Sequence, residues 1–539
     1  MAVVVMAFGT GRSNWLKRGE WLVCIGATLA AVGLHLVYLT HAGGLWRDET
    51  SSVNLATMPT IGQMWGALDV PVLFPAMIRI WCALGLGGGD ISLRLFGFLV
   101  GVAILGASWL NARVMGLRIP FIALGLLTTN ITLLRWGDSL RAYGPGSLLM
   151  LLTLGQIWAL INQPNRQRFL LASLLAVLSV HCLYQNAILL AAACGAAGVV
   201  CLLRKKPRTA GLAMAVGLVA AVSLLPYASH FTQFSNAYKV LRTGFNAQIV
   251  WSSLSSGIGS PLLWERWIWL GLLVMVGALG IASLDHGSRT RRVTAADLTL
   301  FGAAATGIAV FGFFLFLGLA QLPTQPWYYL PLLTFVAMCM DAALAQWLAR
   351  RPAWGVTFVG LILCISLPAA FGQAKQRQTN VDLIAGWLHT QAKPNDLIAV
   401  YPWFNGITFN RYYKGDTPWT TIPTLADFRV HRYDLVKERL AAQAPIQPVL
   451  DRIAQTRASG NRIWIVGELP ASQPGETSAP TLPPAPDGPY GWSDVPYNYV
   501  WGRQVRAFIT AHGGRMEKVS TGSSEEVSIY EKLVLTVVR

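Results

Sequence analysis

Long apolar runs, each near the length of a membrane-spanning helix, alternate along this chain with short polar interruptions. A helix rises about 1.5 Å per residue, so roughly 20 apolar residues cross the hydrocarbon core of a bilayer. About eleven segments fit that pattern: 21–40, 93–112, 119–134, 145–161, 169–185, 187–203, 210–228, 263–284, 297–320, 328–348 and 353–371. The first follows Lys17 and Arg18, as a secretory signal would, but it approaches full spanning length and many spans succeed it. It therefore reads as an uncleaved first helix. Between the first two runs lies a long loop, residues 41–92, holding short amphipathic pieces: Ile61-Gly62-Gln63-Met64-Trp65 and 71–81. Their Trp and Arg content suits the membrane interface. Segment 71–86 is expected to be interfacial rather than a twelfth span, because it is short and Arg79 sits in its middle.

After Phe371 the pattern changes. Residues 373–539 carry dense charge, many prolines and no spanning run. Asp396-Leu397-Ile398-Ala399-Val400-Tyr401 and Arg462-Ile463-Trp464-Ile465-Val466 read as buried strands, and 382–390 and 433–442 as helices. Residues 469–496, rich in Pro, Gly and Ser, read as an exposed loop. The fold class expected is an α-helical polytopic membrane protein of about eleven transmembrane helices (residues 1–372) followed by a soluble α/β domain (373–539) with a parallel or mixed sheet.

Composition agrees: 54% of residues are hydrophobic, 12% are charged, and mean hydropathy is +0.47. The net charge of +17 suggests nucleic acid at first sight. The basic residues argue otherwise. Lys17/Arg18, Arg113/Arg118, Arg166/Arg168, Arg204/Lys205/Lys206/Arg208, Arg289/Arg291/Arg292 and Arg350/Arg351 fall at every second boundary between spans. That is the positive-inside pattern, and it places the N-terminus in the cytoplasm and everything after the last span outside, in a cytoplasmic (inner) membrane. The 7 cysteines lie mostly in apolar spans and none has CxxC spacing, so neither a disulfide framework nor a zinc site is expected. Gly87-Gly88-Gly89 lacks the strand–helix context of a phosphate loop, and no cofactor or metal is anticipated.

The unusual polar residues gather at the other boundaries, on the non-cytoplasmic side. With only 25 Asp and Glu in 539 residues, the adjacent pair Asp48-Glu49 just past the first span stands out. A carboxylate at a membrane edge is a natural general base for a substrate delivered on a lipid. Asp69 is a candidate for substrate contact and equally for an N-cap. Arg94, Arg135 and Arg141 are candidates for holding a phosphate, because a guanidinium binds it in two-point geometry and keeps its proton. Asp138 lies one helical turn before Arg141 and could hold that guanidinium in place. Tyr143 could serve the substrate or anchor the interface, and Lys239 and Arg242 could steer anionic headgroups. His181, beside Tyr184 and Gln185, reads as a satisfied helix-end histidine or a substrate contact.

These residues come in a familiar order. Trp46-Arg47-Asp48-Glu49 follows the first span. Then come Trp65, Asp69-Val70-Pro71-Val72-Leu73-Phe74, Arg79-Ile80-Trp81 and Arg94-Leu95-Phe96-Gly97. Arg141-Ala142-Tyr143 and Gln325-Pro326-Trp327-Tyr328-Tyr329-Leu330-Pro331 complete the series. This order resembles the GT-C superfamily of integral-membrane glycosyltransferases, in particular the bacterial branch similar to protein O-mannosyltransferases and to the lipid A aminoarabinose and galacturonic acid transferases. The resemblance spans roughly residues 20–370. It implies transfer of a hexosyl or pentosyl group from a polyprenyl-phosphate sugar to a lipid, glycan or protein acceptor outside the cytoplasm. Membrane lipids are the remaining partners, and nucleic acid is not one. By the same resemblance Asp48 matches the family's acidic base, and Glu49 would orient acceptor or sugar. Asp69, Arg94, Arg141, Tyr143 and Tyr328 would line the substrate, joined on the physical reading alone by Asp138 and His181. Two positions depart from the pattern: Val70 stands where the family usually has His, and Trp327 where it usually has Arg.

Two other functions compete. A transporter or flippase of lipid-linked glycans should show internal repeats and charged or broken helices near the midplane, and neither is legible. A ligase or polymerase of such glycans would lean on a large late loop rather than a large, acidic first one.

Overall fold

In the computed structural model the described residues are 14–68, 70–229, 245–259, 262, 264–284, 294–321, 324–471, 481–485, 494–522 and 524–539. Among them, nine helices are long and apolar enough to span a membrane. They include α1 (Asn14–His41), α5 (Asp90–Val114), α7 (Tyr143–Asn162), α9 (Asn186–Leu203) and α10 (Pro207–Ser223). The chain is a multi-pass membrane protein. The two remaining expected spans are also helical but shorter. Segment 169–185 is the 17-residue helix α8 (Arg166–Cys182).

Segment 119–134 is broken, and the cause is visible. Helix α6 (Phe121–Leu127) is only 7 residues long. Asp341, from the helix Leu330–Arg350, reaches its start and accepts the N–H groups of Ile122 and Ala123 at 2.8 and 2.7 Å. The N-terminal N–H groups of a helix have no partner within it, so an outside carboxylate can cap them. Asn130 then restarts the chain: its Oδ1 accepts from Leu133 N at 2.8 Å, and its Nδ2 donates to Gly257 O and Ile258 O at 3.2 and 2.8 Å. Irregular backbone at membrane depth is tolerated where protein buries it, and residues 121–127 are all buried.

At one end of the bundle Glu20 meets Arg118 at 3.3 Å and Arg204 meets Asp297 at 2.9 Å. Members of the basic clusters therefore share one end. The first long loop lies at the other end as three short helices, α2 (Arg47–Ala56), α3 (Ile61–Gly66) and α4 (Leu73–Trp81). Thr60 caps α3 by accepting from Gln63 N at 3.1 Å. Arg79 on α4 donates to Ala56 O and Met58 O at 3.0 and 2.8 Å, satisfying carbonyls at the end of α2. That is why an arginine is accommodated in this otherwise apolar piece.

Residues beyond the last span build a five-stranded sheet in the order β2-β1-β3-β5-β4, with β1 (Leu397–Val400), β2 (Trp419–Thr421), β3 (Ile463–Val466), β4 (Met516–Val519) and β5 (Leu535–Val538). β1 runs parallel to β2 and β3, whereas β5 is antiparallel to β3 and β4, so the sheet is mixed. Strand side chains alternate between faces. Leu397 and Ala399 accordingly join one core with Val436, Leu440, Val449 and Ile453, while Ile398 and Val400 join another with Val381, Ile384 and Leu388. Helix Val381–Gln391 and helix Tyr433–Ala441 match the sequence expectation. Of the expected loop 469–496, residues 472–480 and 486–493 lie outside the described residues, and Asp494 opens the helix Asp494–Ala511.

This α/β region sits on the first loop. Gln378 N donates to Ala42 O at 2.8 Å, Arg47 N to Glu531 Oε2 at 2.9 Å, and Asn54 Nδ2 to Arg429 O at 2.8 Å. Arg411 pairs with Asp90, the first residue of α5, at 2.7 Å, and Tyr412 donates to the same carboxylate at 2.6 Å.

Candidate functional site

The start of α2 is fixed by a buried ion pair. Glu49 is fully buried, and its Oε2 receives Arg94 Nη2 of α5 at 2.8 Å. Leu140 N donates to Oε1 at 3.2 Å and Trp46 N to Oε2 at 3.4 Å. Arg94, 2% exposed, also grips the carbonyls of Gly44, at 2.7 Å, and Gly43. Gly43 has φ of +66°, and an added Cβ would meet the Arg377 guanidinium at 2.5 Å. A left-handed residue without a side chain is needed there. Glu49 and Arg94 are therefore together, but they are occupied in holding the chain.

Asp48 is one position earlier and differs in kind. Its side chain is 14% exposed. Its neighbours are Arg141 Nη2 at 3.8 Å, Arg47 Nε at 3.8 Å and His431 Nε2 at 3.5 Å. Among the described residues none of these is a hydrogen bond of ordinary length, so both oxygens keep lone pairs to offer. Burial pushes its pKa up, but Arg141, His431 and Arg47 outweigh that and hold it below the usual carboxylate range. Burial also presses His431 down to about 4, so the imidazole is uncharged at neutral pH and the guanidiniums carry the electrostatic share. The position of Asp48 in the first turn of α2 adds the positive end of a helix dipole.

Aromatic rings surround this carboxylate. Arg141 lies over Tyr143 at 5.9 Å, and Tyr143 stacks on Tyr328 at 5.8 Å between centroids. Gln185 Nε2 donates to Tyr328 O at 2.9 Å. Trp46, Trp136, Trp327 and Tyr530 form a cluster beside them, with centroids of Trp46–Trp136 at 5.0 Å, Trp136–Trp327 at 4.5 Å and Trp327–Tyr530 at 5.1 Å. Trp327, where the resemblance expects arginine, is thus a packing residue. Arg47 lies over Trp46 and Phe404 and donates to Tyr530 O at 2.8 Å.

Asp48, Arg141, Tyr143 and Tyr328 are therefore contiguous, with Glu49 and Arg94 behind them. The expected Asp138–Arg141 pairing does not form. Asp138 instead meets His35 of α1 at 2.7 Å, both buried, against α5 at Gly97 and Gly101. Residues 138–141 form a bend between the wide helical turn Leu133–Gly137 and α7, so the Asp138 carboxylate meets α1 while Arg141 turns to Asp48. Arg135 donates to Gln376 Oε1 at 3.0 Å. His181 contacts Tyr227 Oη at 3.2 Å and Ser223 Oγ at 3.1 Å, and Tyr227 also receives Val72 N at 3.3 Å. It ties α8 and α10 to the first loop. Asp69, Lys239 and Arg242 lie outside the described residues.

Sequence reasoning missed Arg47, His431 and Tyr433. The last two belong to the run Arg429-Val430-His431-Arg432-Tyr433-Asp434, whose charge density reads as solvated surface. Nothing local links it to position 48. Among the described residues no cluster of His, Cys, Asp and Glu has the geometry to hold a metal ion.

No protein-family profile matches the chain, and no curated protein does. Solved structures do. ArnT from Cupriavidus metallidurans in the apo state aligns over 84% of this chain and 93% of its own, at 13% identity and a TM-score of 0.50. The same protein bound to undecaprenyl phosphate aligns over 83% and 92%, at 13% identity and 0.49. The archaeal oligosaccharyltransferase AglB from Archaeoglobus fulgidus, in complex with an inhibitory peptide and a dolichol-phosphate, aligns over 84% and 70%, at 11% identity and 0.45. The chain shares its overall fold with the ArnT structure, which agrees with the fold expected from the sequence resemblance.

Proposed function

We propose that this protein is a membrane glycosyltransferase that moves a sugar from a polyprenyl-phosphate donor to an acceptor hydroxyl on the non-cytoplasmic face of a cytoplasmic membrane, with Asp48 as the general base. One observation carries the reading: the Asp48 side chain is partly exposed and engaged by Arg47, Arg141 and His431 at 3.5–3.8 Å, which favours its ionised form, while its buried neighbour Glu49 already accepts three hydrogen bonds.

The step follows from that geometry. An Asp48 oxygen accepts the acceptor's proton as the acceptor oxygen bonds to the anomeric carbon. The bond between that carbon and the phosphate oxygen breaks, and its electron pair leaves on the polyprenyl phosphate, which gains one negative charge. Arg141, with Arg47 behind it, faces that developing charge, a stabilisation strongest where water is excluded. Phosphate is already a competent leaving group, so no general acid is required. Tyr328, half-buried and backed by the stacked Tyr143 ring, offers a face suited to an apolar sugar face. The sequence resemblance and this chemistry support a polyprenyl-phosphate carrier, and the loop charges support an α/β region outside the cytoplasm.

Purified protein in nanodiscs, given a panel of undecaprenyl-phosphate sugars, should release undecaprenyl phosphate with at least one of them. Release from none, across lipid, glycan and peptide acceptors, overturns the proposal.

A further inference from the structure

His431 reaches Asp48 from the far end of the chain. It belongs to the α/β region, just ahead of the helix Tyr433–Ala441, yet its Nε2 stands 3.5 Å from Asp48 Oδ1 on α2. Its side chain is 11% exposed. The ring has little freedom: it lies parallel to Tyr433, at 5.8 Å and 13°, and edge-on to Trp403 at 6.3 Å and 82°. Trp403 and Tyr433 brace each other at 5.5 Å. The backbone carrying it is pinned as well. Asn54 of α2 donates to Arg429 O at 2.8 Å, and Arg432 bridges Asp427 and Asp434, both at 2.7 Å.

We propose that His431 is a positioning residue for Asp48, and that the α/β region thereby completes the active site, an inference that rests on Asp48 being the base. With its proton on Nε2, the imidazole donates toward Oδ1 while Arg141 draws Oδ2. The carboxylate plane is then set by one contact from each part of the molecule, and each oxygen keeps a lone pair for the acceptor's proton. Rigid aromatic support for such a donor is what a site needs to hold a base in productive geometry. The groups facing Asp48 are Arg47, Arg141 and His431, with the Tyr143 and Tyr433 rings alongside. His431 is uncharged at neutral pH and contributes an N–H there, and as the pH falls toward 4 it gains a charge that also favours the ionised Asp48. Removing it takes away a partner of the ionised form, so the Asp48 pKa should rise and the acid limb of the rate profile should move to higher pH.

The test compares kcat, donor KM and pH–rate profiles in nanodiscs for wild type and four variants. His431→Ala should lower kcat about tenfold, the scale of a base held less firmly in productive geometry, with donor KM little changed and the acid limb shifted upward. His431→Phe keeps the stacking on Tyr433 and Trp403 but has no N–H, and it should behave like His431→Ala. It carries the test where the alanine variant fails to accumulate. His431→Gln restores a donor and should return the limb toward wild type. An acid limb unmoved in both His431→Phe and His431→Ala overturns the positioning role, as does a His431→Phe enzyme with wild-type kcat. Asp48→Asn separates the two ideas. Wild-type turnover by it overturns the base itself, whereas its inactivity together with an unmoved limb in the His431 variants overturns only the inference.

Discussion

Asp48 and Glu49 are turned about 100° from each other around α2, and that rotation divides their work. Glu49 points inward to Arg94, and Asp48 points to the partly exposed ring of Arg47, Arg141 and His431. Asp48→Asn keeps shape but loses the charge, and transfer should fall by at least ~10²-fold, the lower range for a lost general base, with protein yield unchanged. Activity falling as pH drops through the depressed Asp48 pKa, and not near neutrality, is the matching signature, because the base works only when ionised. Glu49→Gln should act differently. It strands the Arg94 charge in a buried site, a cost of roughly 3–5 kcal/mol. Yield and melting temperature in detergent should drop sharply, while any folded protein retains turnover; full stability with abolished turnover would return Glu49 to the chemistry. Arg141→Lys keeps the charge and loses the planar fork. A rise in donor KM against wild type supports phosphate contact, and superimposable donor curves would reduce Arg141 to a snorkelling side chain. The pair itself was legible from the scarcity of acid in an apolar chain. Which of the two is free was not, because that depends on Arg94, whose approach is set by the packing of α5 on the loop.

At the scale of elements, α5 meets its neighbours through small residues. A Cβ on Gly101 would fall 2.1 Å from Asp138 Oδ1 and 2.8 Å from the His35 ring. The His35–Asp138 pair links α1 to the bend before α7, so Gly101→Ala must part it or push the helices apart. Small residues are what allow such close approach in membranes. Gly106, on the same helix, has nothing within 4 Å and provides the control. Gly101→Ala should lower the melting temperature and the yield, and Gly106→Ala should not; equal behaviour would deny the contact. The spanning helices themselves were readable because hydropathy over twenty residues is a strong signal. The break after α6 was not. An apolar run looks the same whether it is one helix or a short helix capped by Asp341 from another span. Asp341 was the available clue, since an ionisable residue inside an apolar run is costly unless it has a partner. The Asp138–Arg141 pairing failed for a related reason: helical spacing licenses such a pair only within a helix, and residues 138–141 are a bend between the helical turn Leu133–Gly137 and α7.

For the molecule as a whole, the decisive relation is between the two ends of the bundle. Glu20–Arg118 and Arg204–Asp297 mark one end, and Asp48 with the docked α/β region marks the other. The basic clusters of the sequence predict that the first end faces the cytoplasm. The α/β region was legible as a composition change with two buried strands, but its seat on the first loop was not. That seat is made of long-range contacts such as Arg411–Asp90 and Asn54–Arg429, whose residues look like ordinary surface polar groups in the sequence. The consequence is a topology that can be measured. A reporter fused after Arg539 that matures only outside the cytoplasm should be active, and one that matures only inside should be silent. The same pair of reporters fused after Arg204, at the opposite end, should give the reverse result. Agreement of both fusions places Asp48 where a sugar must arrive on a lipid rather than on a soluble nucleotide, because activated nucleotide sugars are confined to the cytoplasm. Inversion of both would put the site on the cytoplasmic side, and the polyprenyl-phosphate donor would then lose the reason for its assignment along with the topology.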